Sequence, residues 1–345
     1  MCAGTISRSV PLHDPSRVVR FRGSVMCPLS RRAFLSTIGT TAIASAFPQL
    51  SRATDLPHSP FRIAVINDEI SQDFDRACGV AAEFGMKWIE LRGMWNKNVL
   101  DLDAHEISES KRLLKKHGLR VTDIASPLFK VDWPGAPKSK FSPKQDQFNA
   151  HFGFDQQDEV LEKCIELAKT FGTDRVRCFD FWRLDEPKPH RGEINEQLRK
   201  AADRAGKDGL LLVLENEAAC NTGTGKEAAE VLMAVQHRAF MLNWDPGNAA
   251  TLSETPYPDG YDLLPKNRIG HCHCKNAVKN GDKYDWAPVG KGVVDWVGQF
   301  KALKRDGYHF AVSLETHWRG AGTPEASTRE SWAGMKEALQ KAEAL

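Results

Sequence analysis

IGHCHCKN, residues 269–276, sets two histidines and two cysteines side by side, and its reading decides the fold. Read as a loop, His271, Cys272, His273 and Cys274 resemble a soft-ligand zinc cluster. Read as a β-strand, the same letters separate. Side chains alternate across a strand, so His271, His273 and Lys275 share one face while Cys272 and Cys274 share the other. One ion cannot draw on neighbours from both faces of an extended segment. The strand reading therefore packs the cysteines against an outer layer of helices and turns a histidine inward.

Outward from this strand, β-rich runs alternate with amphipathic helical stretches from residue 61 onward. The strands read FRIAVIN (61–67), KWIELRG (87–93), LRVTDIA (119–125), RVRCFDF (175–181), LLLVLEN (210–216), FMLNWD (240–245), RIGHCHCK (268–275) and HFAVSLE (309–315). Helical patterns lie between them, several closed by glycine, as in SESKRLLKKHG (108–118) and DEVLEKCIELAKTFG (158–172). Eight strand–helix units over residues 61–345 predict a single (β/α)8 barrel, an α/β TIM barrel. A doubly wound sheet would carry a glycine-rich first turn, whereas the first turn here is NDEIS. The connection from Ser126 to Asp155, with Phe129, Trp133, Phe141 and Phe152, is too long for a bare loop and reads as a lid or substrate-facing segment.

Chemistry in such barrels collects at the C-terminal strand ends. The fifth strand ends in LENE (214–217) with Glu215, and the sixth in NWDPGN (243–248) with Asp245. The seventh supplies a histidine from HCHCK, and the eighth ends in SLETH (313–317) with Glu315. One strand-end glutamate is ordinarily a salt-bridge partner; four potential ligands at equivalent positions on consecutive strands point to a metal centre. Its oxygen-rich, single-nitrogen donor set favours Mn²⁺ or Mg²⁺ over a thiolate-type zinc site, and Co²⁺, Fe²⁺ or Zn²⁺ are compatible with it. Glu90 and Arg92 at the end of the second strand, Arg177 on the fourth, and Lys275, Glu217 and His317 near the ligands are candidates for contacting substrate. Trp244 and Trp286 read as packing or sugar-stacking residues. GKG (290–292) lacks the spacing and hydroxyl residue of a phosphate loop and reads as a turn.

The series LENE, DPGN, HCHCKN, GKGVVDW (290–296) and SLET resembles the sugar phosphate isomerase/epimerase superfamily, the xylose isomerase-like barrels. The resemblance covers residues 61–345, with its specific part in the second half. It implies one divalent ion held by Glu215, Asp245, His273 and Glu315, the second histidine of the family's H-x-H-x-K-D element being the ligand. Lys275 matches the lysine of that element, but Asn276 stands where the family has an acid. Asn248 stands where ketose epimerases place a substrate-touching histidine, so their pocket is not reproduced. The resemblance implies an isomerase or epimerase acting on a sugar, polyol or related hydroxy-ketone, with Glu215 and Glu315 exchanging a proton through an enediolate. Rival expectations are a lyase or dehydratase, a hydrolase of keto-sugars, a non-catalytic sugar binder, and a nuclease of the endonuclease IV kind.

Charge argues against the nuclease. The formal net charge is +2, but residues 1–46 hold six arginines and one acid, Asp14. Removing them leaves 41 basic and 44 acidic residues (47 − 6 and 45 − 1), near −3, which gives no reason to expect nucleic acid or an anionic membrane as partner. Residues 1–53 read as a leader. SRRAFL (30–35), an uncharged run to Leu50 and small residues around Ala44–Ala46 resemble a twin-arginine export signal. The start is Met1 or Met26, and cleavage follows Ala46 or Ala53. That pattern predicts contact with the twin-arginine machinery, a periplasmic location, no membrane span in the mature chain, and a homo-oligomer as an option. Cys2 and Cys27 fall in the leader; the other six cysteines match no disulfide framework and read as small buried hydrophobes.

Overall fold

The computed structural model describes residue 56, residues 58–142 and residues 150–345; the leader, start and cleavage readings lie outside these residues. Eight parallel strands form the barrel: β1 (Arg62–Val65), β2 (Trp88–Leu91), β3 (Arg120–Ile124), β4 (Arg175–Cys178), β5 (Leu211–Glu215), β6 (Phe240–Trp244), β7 (Ile269–Cys274) and β8 (Ala311–Leu314). Neighbours run in chain order from β2 to β8, and β8 pairs with β1. Between β1 and β2 a single parallel bridge, Ile66 to Glu90, replaces a ladder, so the barrel is nearly closed.

Helices α1 (Phe74–Glu83), α2 (Ala104–His117), α3 (Gln157–Phe171), α4 (Arg191–Lys207), α5 (Gly225–Ala234), α6 (Pro246–Thr251), α7 (Trp296–Arg305) and α8 (Pro324–Lys341) alternate with the strands. α2 starts four residues before its apolar pattern because Asp103 and Glu106 form a reciprocal capping box. Gly118 and Gly172 end α2 and α3 in the left-handed conformation, at φ 68° and 70°, where a side chain would be strained. Among the described residues, no helix is long and apolar enough to cross a membrane.

β4 stops at Cys178, three residues short of the β-rich run. Phe179, Phe181 and Trp182 donate their backbone N–H groups to Leu128, Phe129 and Val131 instead of to a strand. The long β3–α3 connection is thereby tied to the barrel mouth. Its Phe129 and Trp133 pack on Phe181, with ring centroids 5.2 and 4.9 Å away. Burying each such aromatic contributes about 1.5–3 kcal/mol, enough to pin that part of the connection in place.

Cys272 and Cys274 are fully buried in the apolar layer that contains Trp296 and Phe300, and burial pushes both thiols up from their ordinary range. Asn276, two residues past the strand, opens the hairpin that follows: its side-chain carbonyl accepts the N–H groups of Ala277 and Val294, and its amide donates to the Val294 carbonyl. A carboxylate could accept there but could not make the third bond. GKG forms a turn before α7, with Gly290 at φ 86° and Lys291 paired with Glu330.

Candidate functional site

At the mouth of the barrel, Glu215, Asp245, His273 and Glu315 each present one donor atom, all within 4.8 Å of one another. All four are buried. Glu215 is the last residue of β5, and Glu315 follows β8 directly. Asp245 is placed by the start of α6. Its Oδ1 accepts the Asn248 N–H at 2.9 Å as the helix N-cap, and Pro246 fits the first helical position. Its Oδ2 is left for the cluster, 2.7 Å from Lys275 Nζ. His273 turns Nδ1 toward Glu215 Oε1 at 3.3 Å and Glu315 Oε2 at 3.2 Å.

Each glutamate has its other oxygen clamped by an arginine. Arg177 donates to Glu215 Oε2 at 2.9 Å, and Arg92 to Glu315 Oε1 at 2.6 Å. Burial alone would raise both carboxyls, but the cations outweigh it. His273 and Arg177 hold Glu215 down at about 2, and Lys275, His317 and His273 hold Glu315 well below the ordinary range. Asp245 goes the other way. Burial, with Glu215 and Glu315 alongside, pushes it up to about 6 against the pull of Lys275.

The family described as "Xylose isomerase-like TIM barrel" matches residues 78–338. The chain belongs to this family. No curated protein sequence matches it. Among solved structures, this xylose isomerase-like barrel is similar to a probable 3-DHS dehydratase, AsbF, from Bacillus anthracis, at 21% identity and TM-score 0.60, over 80% of this chain and 97% of that one. A D-allulose 3-epimerase from Methylomonas sp. aligns at 19% identity and TM-score 0.60, over 84% of this chain and 100% of that one. The IolI protein, solved with a bound zinc atom, aligns at 15% identity and TM-score 0.63, over 82% and 99%. At these identities the likeness speaks for the fold.

The donor set of this xylose isomerase-like barrel fits a divalent ion. Ligands on opposite sides of Mg²⁺ stand about 4.2 Å apart, so donors within 4.8 Å of one another need only a slight contraction. The cluster also draws in a cation of its own. The Lys275 ammonium lies 2.7 Å from both Asp245 Oδ2 and Glu315 Oε2.

The remaining candidates take distinct places. Glu90 turns away from the mouth: its two oxygens meet His271 Nε2 and His273 Nε2, each at 3.0 Å, and it is fully buried. It fixes the ring that faces the cluster, as a carboxylate behind a metal-ligating histidine does. His271 lies below the donor group, paired with Glu90. Asn248 donates to Asp245 Oδ2 at 3.1 Å and Glu215 Oε1 at 3.3 Å, so it orients ligands. Strand geometry does not persist to His317, which sits at φ 48°, yet this turn brings Nε2 within 3.3 Å of Glu315 Oε1. Its side chain is 22% exposed. Trp286, on a hairpin after β7, stands over the site 5.3 Å from the His317 ring, with Lys275 Nζ 5.1 Å from its own. Trp244 is fully buried and donates to Gln299, a packing residue. Glu217 pairs with Lys130 at 3.0 Å.

Glu69 and Asp68 escape a strand-end reading because they lie in the helical turn after β1. Glu69 is fully buried, 2.7 Å from Arg92 and 2.9 Å from Arg319. The acidic pair within NDEIS (67–71) was the available signal. Asp123 escapes because it faces the barrel interior. Both its oxygens are buried without a hydrogen-bond partner, and burial, reinforced by Glu90, pushes its carboxyl up to about 8.

Proposed function

We propose that this barrel is a divalent-metal-dependent isomerase or epimerase that moves a proton on a sugar, polyol or related hydroxy-ketone. The observation carrying this reading is the pair of glutamates, each with one oxygen held by an arginine and the other turned to a shared centre. A divalent ion at that centre supplies polarisation of a substrate carbonyl, which acidifies the adjacent C–H and favours the enediolate. Glu215 and Glu315, approaching from β5 and β8, accept the proton on one face and return it on the other. Their depressed proton affinities keep both ionised at neutral pH. Glu90 holds His273 with Nδ1 aimed inward, and Lys275 faces the oxygen on which negative charge develops. The similar structures include a 3-epimerase and a probable dehydratase.

A second reading, dehydration, has one specific support. His317 is a partly exposed titratable group beside Glu315, placed to protonate a departing hydroxyl. Proton NMR in D₂O with Mn²⁺ and candidate ketoses separates the readings. Isomerisation gives deuterium at the carbon beside the carbonyl with no loss of water, whereas dehydration gives a new unsaturated carbonyl absorbance. Absence of both, in protein that holds its ion, would leave a binding barrel. We also propose that residues 1–53 direct twin-arginine export; replacing Arg31 and Arg32 by lysine should retain the protein inside the cell.

A further inference from the structure

Beside the carboxylate cluster lies a cavity of about 390 Å³, near the lower end of the roughly 300–1,000 Å³ typical of small-molecule sites. Arg92 and Arg177 line it and also clamp Glu315 and Glu215, whereas the four donor residues stand outside its described lining. A substrate that reacts at the cluster therefore reaches the cavity only by extending past the two guanidinium groups. A volume of this size, off the reacting centre, has room for a group that takes no part in the proton transfer.

Charge in the lining is already matched inside the protein. Arg92 is paired with Asp68 at 2.9 Å, Glu69 at 2.7 Å and Glu315 at 2.6 Å. Arg177 donates to Glu215 at 2.9 Å and to the carbonyls of Ala125 and Ser126. Lys130 meets Glu217 at 3.0 Å, with its ammonium 4.3 Å from the Phe179 ring centre. Asp132 accepts the Ser142 hydroxyl and faces Lys138 at 3.6 Å. An anion entering here would have to draw a cation off its partner, and breaking a buried pair is costly. Most of the remaining lining is apolar, including Ala125, Pro127, Val131, Pro134, Phe152 and Phe154. These walls are preformed. Phe154 is held edge-on by Trp133, with ring centroids 5.5 Å apart, and the Val131 carbonyl accepts the Trp182 N–H at 3.0 Å. Such a surface rewards apolar area withdrawn from water.

We propose that the substrate joins the reacting hydroxy-ketone to an uncharged, mainly apolar group of ring size, which fills this cavity against Val131, Phe152 and Phe154. An uncharged group leaves every ion pair at the mouth intact. An apolar one gains from a lining against which hydroxyls would be left unbonded. This deepens the function proposed above and rests on it for the reacting end.

The test is calorimetry on the Mn²⁺-loaded protein with three probes: hydroxyacetone, hydroxymethyl phenethyl ketone, and the latter with a para-carboxylate on its ring. The phenethyl ketone should bind at least about 10-fold more tightly than hydroxyacetone, and its carboxylate more weakly than the uncharged parent. Val131→Trp, which fills the cavity, and Phe152→Ala, which removes a wall, should each bring the phenethyl ketone toward hydroxyacetone while Mn²⁺ stoichiometry stays unchanged. No gain from the ring in the unaltered protein, absence of heat from the phenethyl ketone included, overturns the proposal. So does a gain that survives both variants, or a carboxylate that binds as tightly as its parent or more so. Failure of the metal reading shows separately, as absence of Mn²⁺ binding in a titration without probe, and the ring comparison is then read on the ion-free protein.

Discussion

The two halves of the barrel mouth are built from opposite chemistry. Strands β5 to β8 deliver the carboxylates of Glu215, Asp245 and Glu315 together with His273. The half from β2 to β4 delivers Arg92 and Arg177, with Lys130 on the connection that follows β3. Neither half is stable alone in a buried setting, because unpaired charges there are costly. The cations hold the carboxylates ionised and spaced, and the carboxylates hold the cations at the cavity. The carboxylate cluster and its arginine clamps thus share one set of ion pairs.

The sharpest way to break this division is at the centre. Glu215→Gln and Glu315→Gln should each cut solvent-proton exchange by about 10²–10⁴-fold, the range of positioned acid–base groups, and lower bound Mn²⁺. Normal turnover by either variant would remove that glutamate from the chemistry. On the cationic half, Arg92→Met leaves Asp68, Glu69 and Glu315 facing one another without their shared partner. Urea unfolding should show a loss of about 3–5 kcal/mol, and a smaller loss for Arg177→Met, which faces one carboxylate and two backbone carbonyls. Equal costs would argue against the asymmetry between the two clamps.

Lys275, a cation from the carboxylate half itself, tests whether an ammonium and an ion compete for one point. Its ammonium contacts the same oxygens, Asp245 Oδ2 and Glu315 Oε2, that an ion would claim. Lys275→Met should therefore bind Mn²⁺ about 10-fold more tightly by calorimetry. A further effect, on stability rather than on binding, lies below the mouth. Asp123 is raised from 3.8 to about 8 in the folded protein, so between those values the folded state holds a proton that the unfolded chain releases. Stability then falls as pH rises through that window. Asp123→Asn should flatten the decline, read as the difference in Tm between about pH 5 and pH 8.

Much of this was legible in residue order because periodicity is local. The alternation of HCHCK separated histidines from cysteines, and LENE, NWDPGN and SLETH put acidic groups at the ends of the fifth, sixth and eighth strands. Other features depend on where the chain travels next. The role of Glu90 follows from β7 crossing the barrel to meet it, 181 and 183 residues later in sequence. Glu69 acquires its partners from β2 and from the turn after β8, and His317 reaches Glu315 only because the backbone leaves strand geometry. No local pattern encodes such meetings. The strand lengths were overestimated at β4 for a related reason: the long connection competes for its N–H groups.

Glu90 joins two jobs in one residue. Its backbone supplies the lone parallel bridge closing β1 to β2, and its carboxylate steadies both histidines. An ion held by His273 would favour the closed seam through Glu90, and the closed seam would favour the ion by the same free energy. A loaded protein should exchange the amide hydrogens around Ile66 and Glu90 more slowly than an emptied one, and a chelator would act as a reagent that loosens the cylinder at one chosen seam.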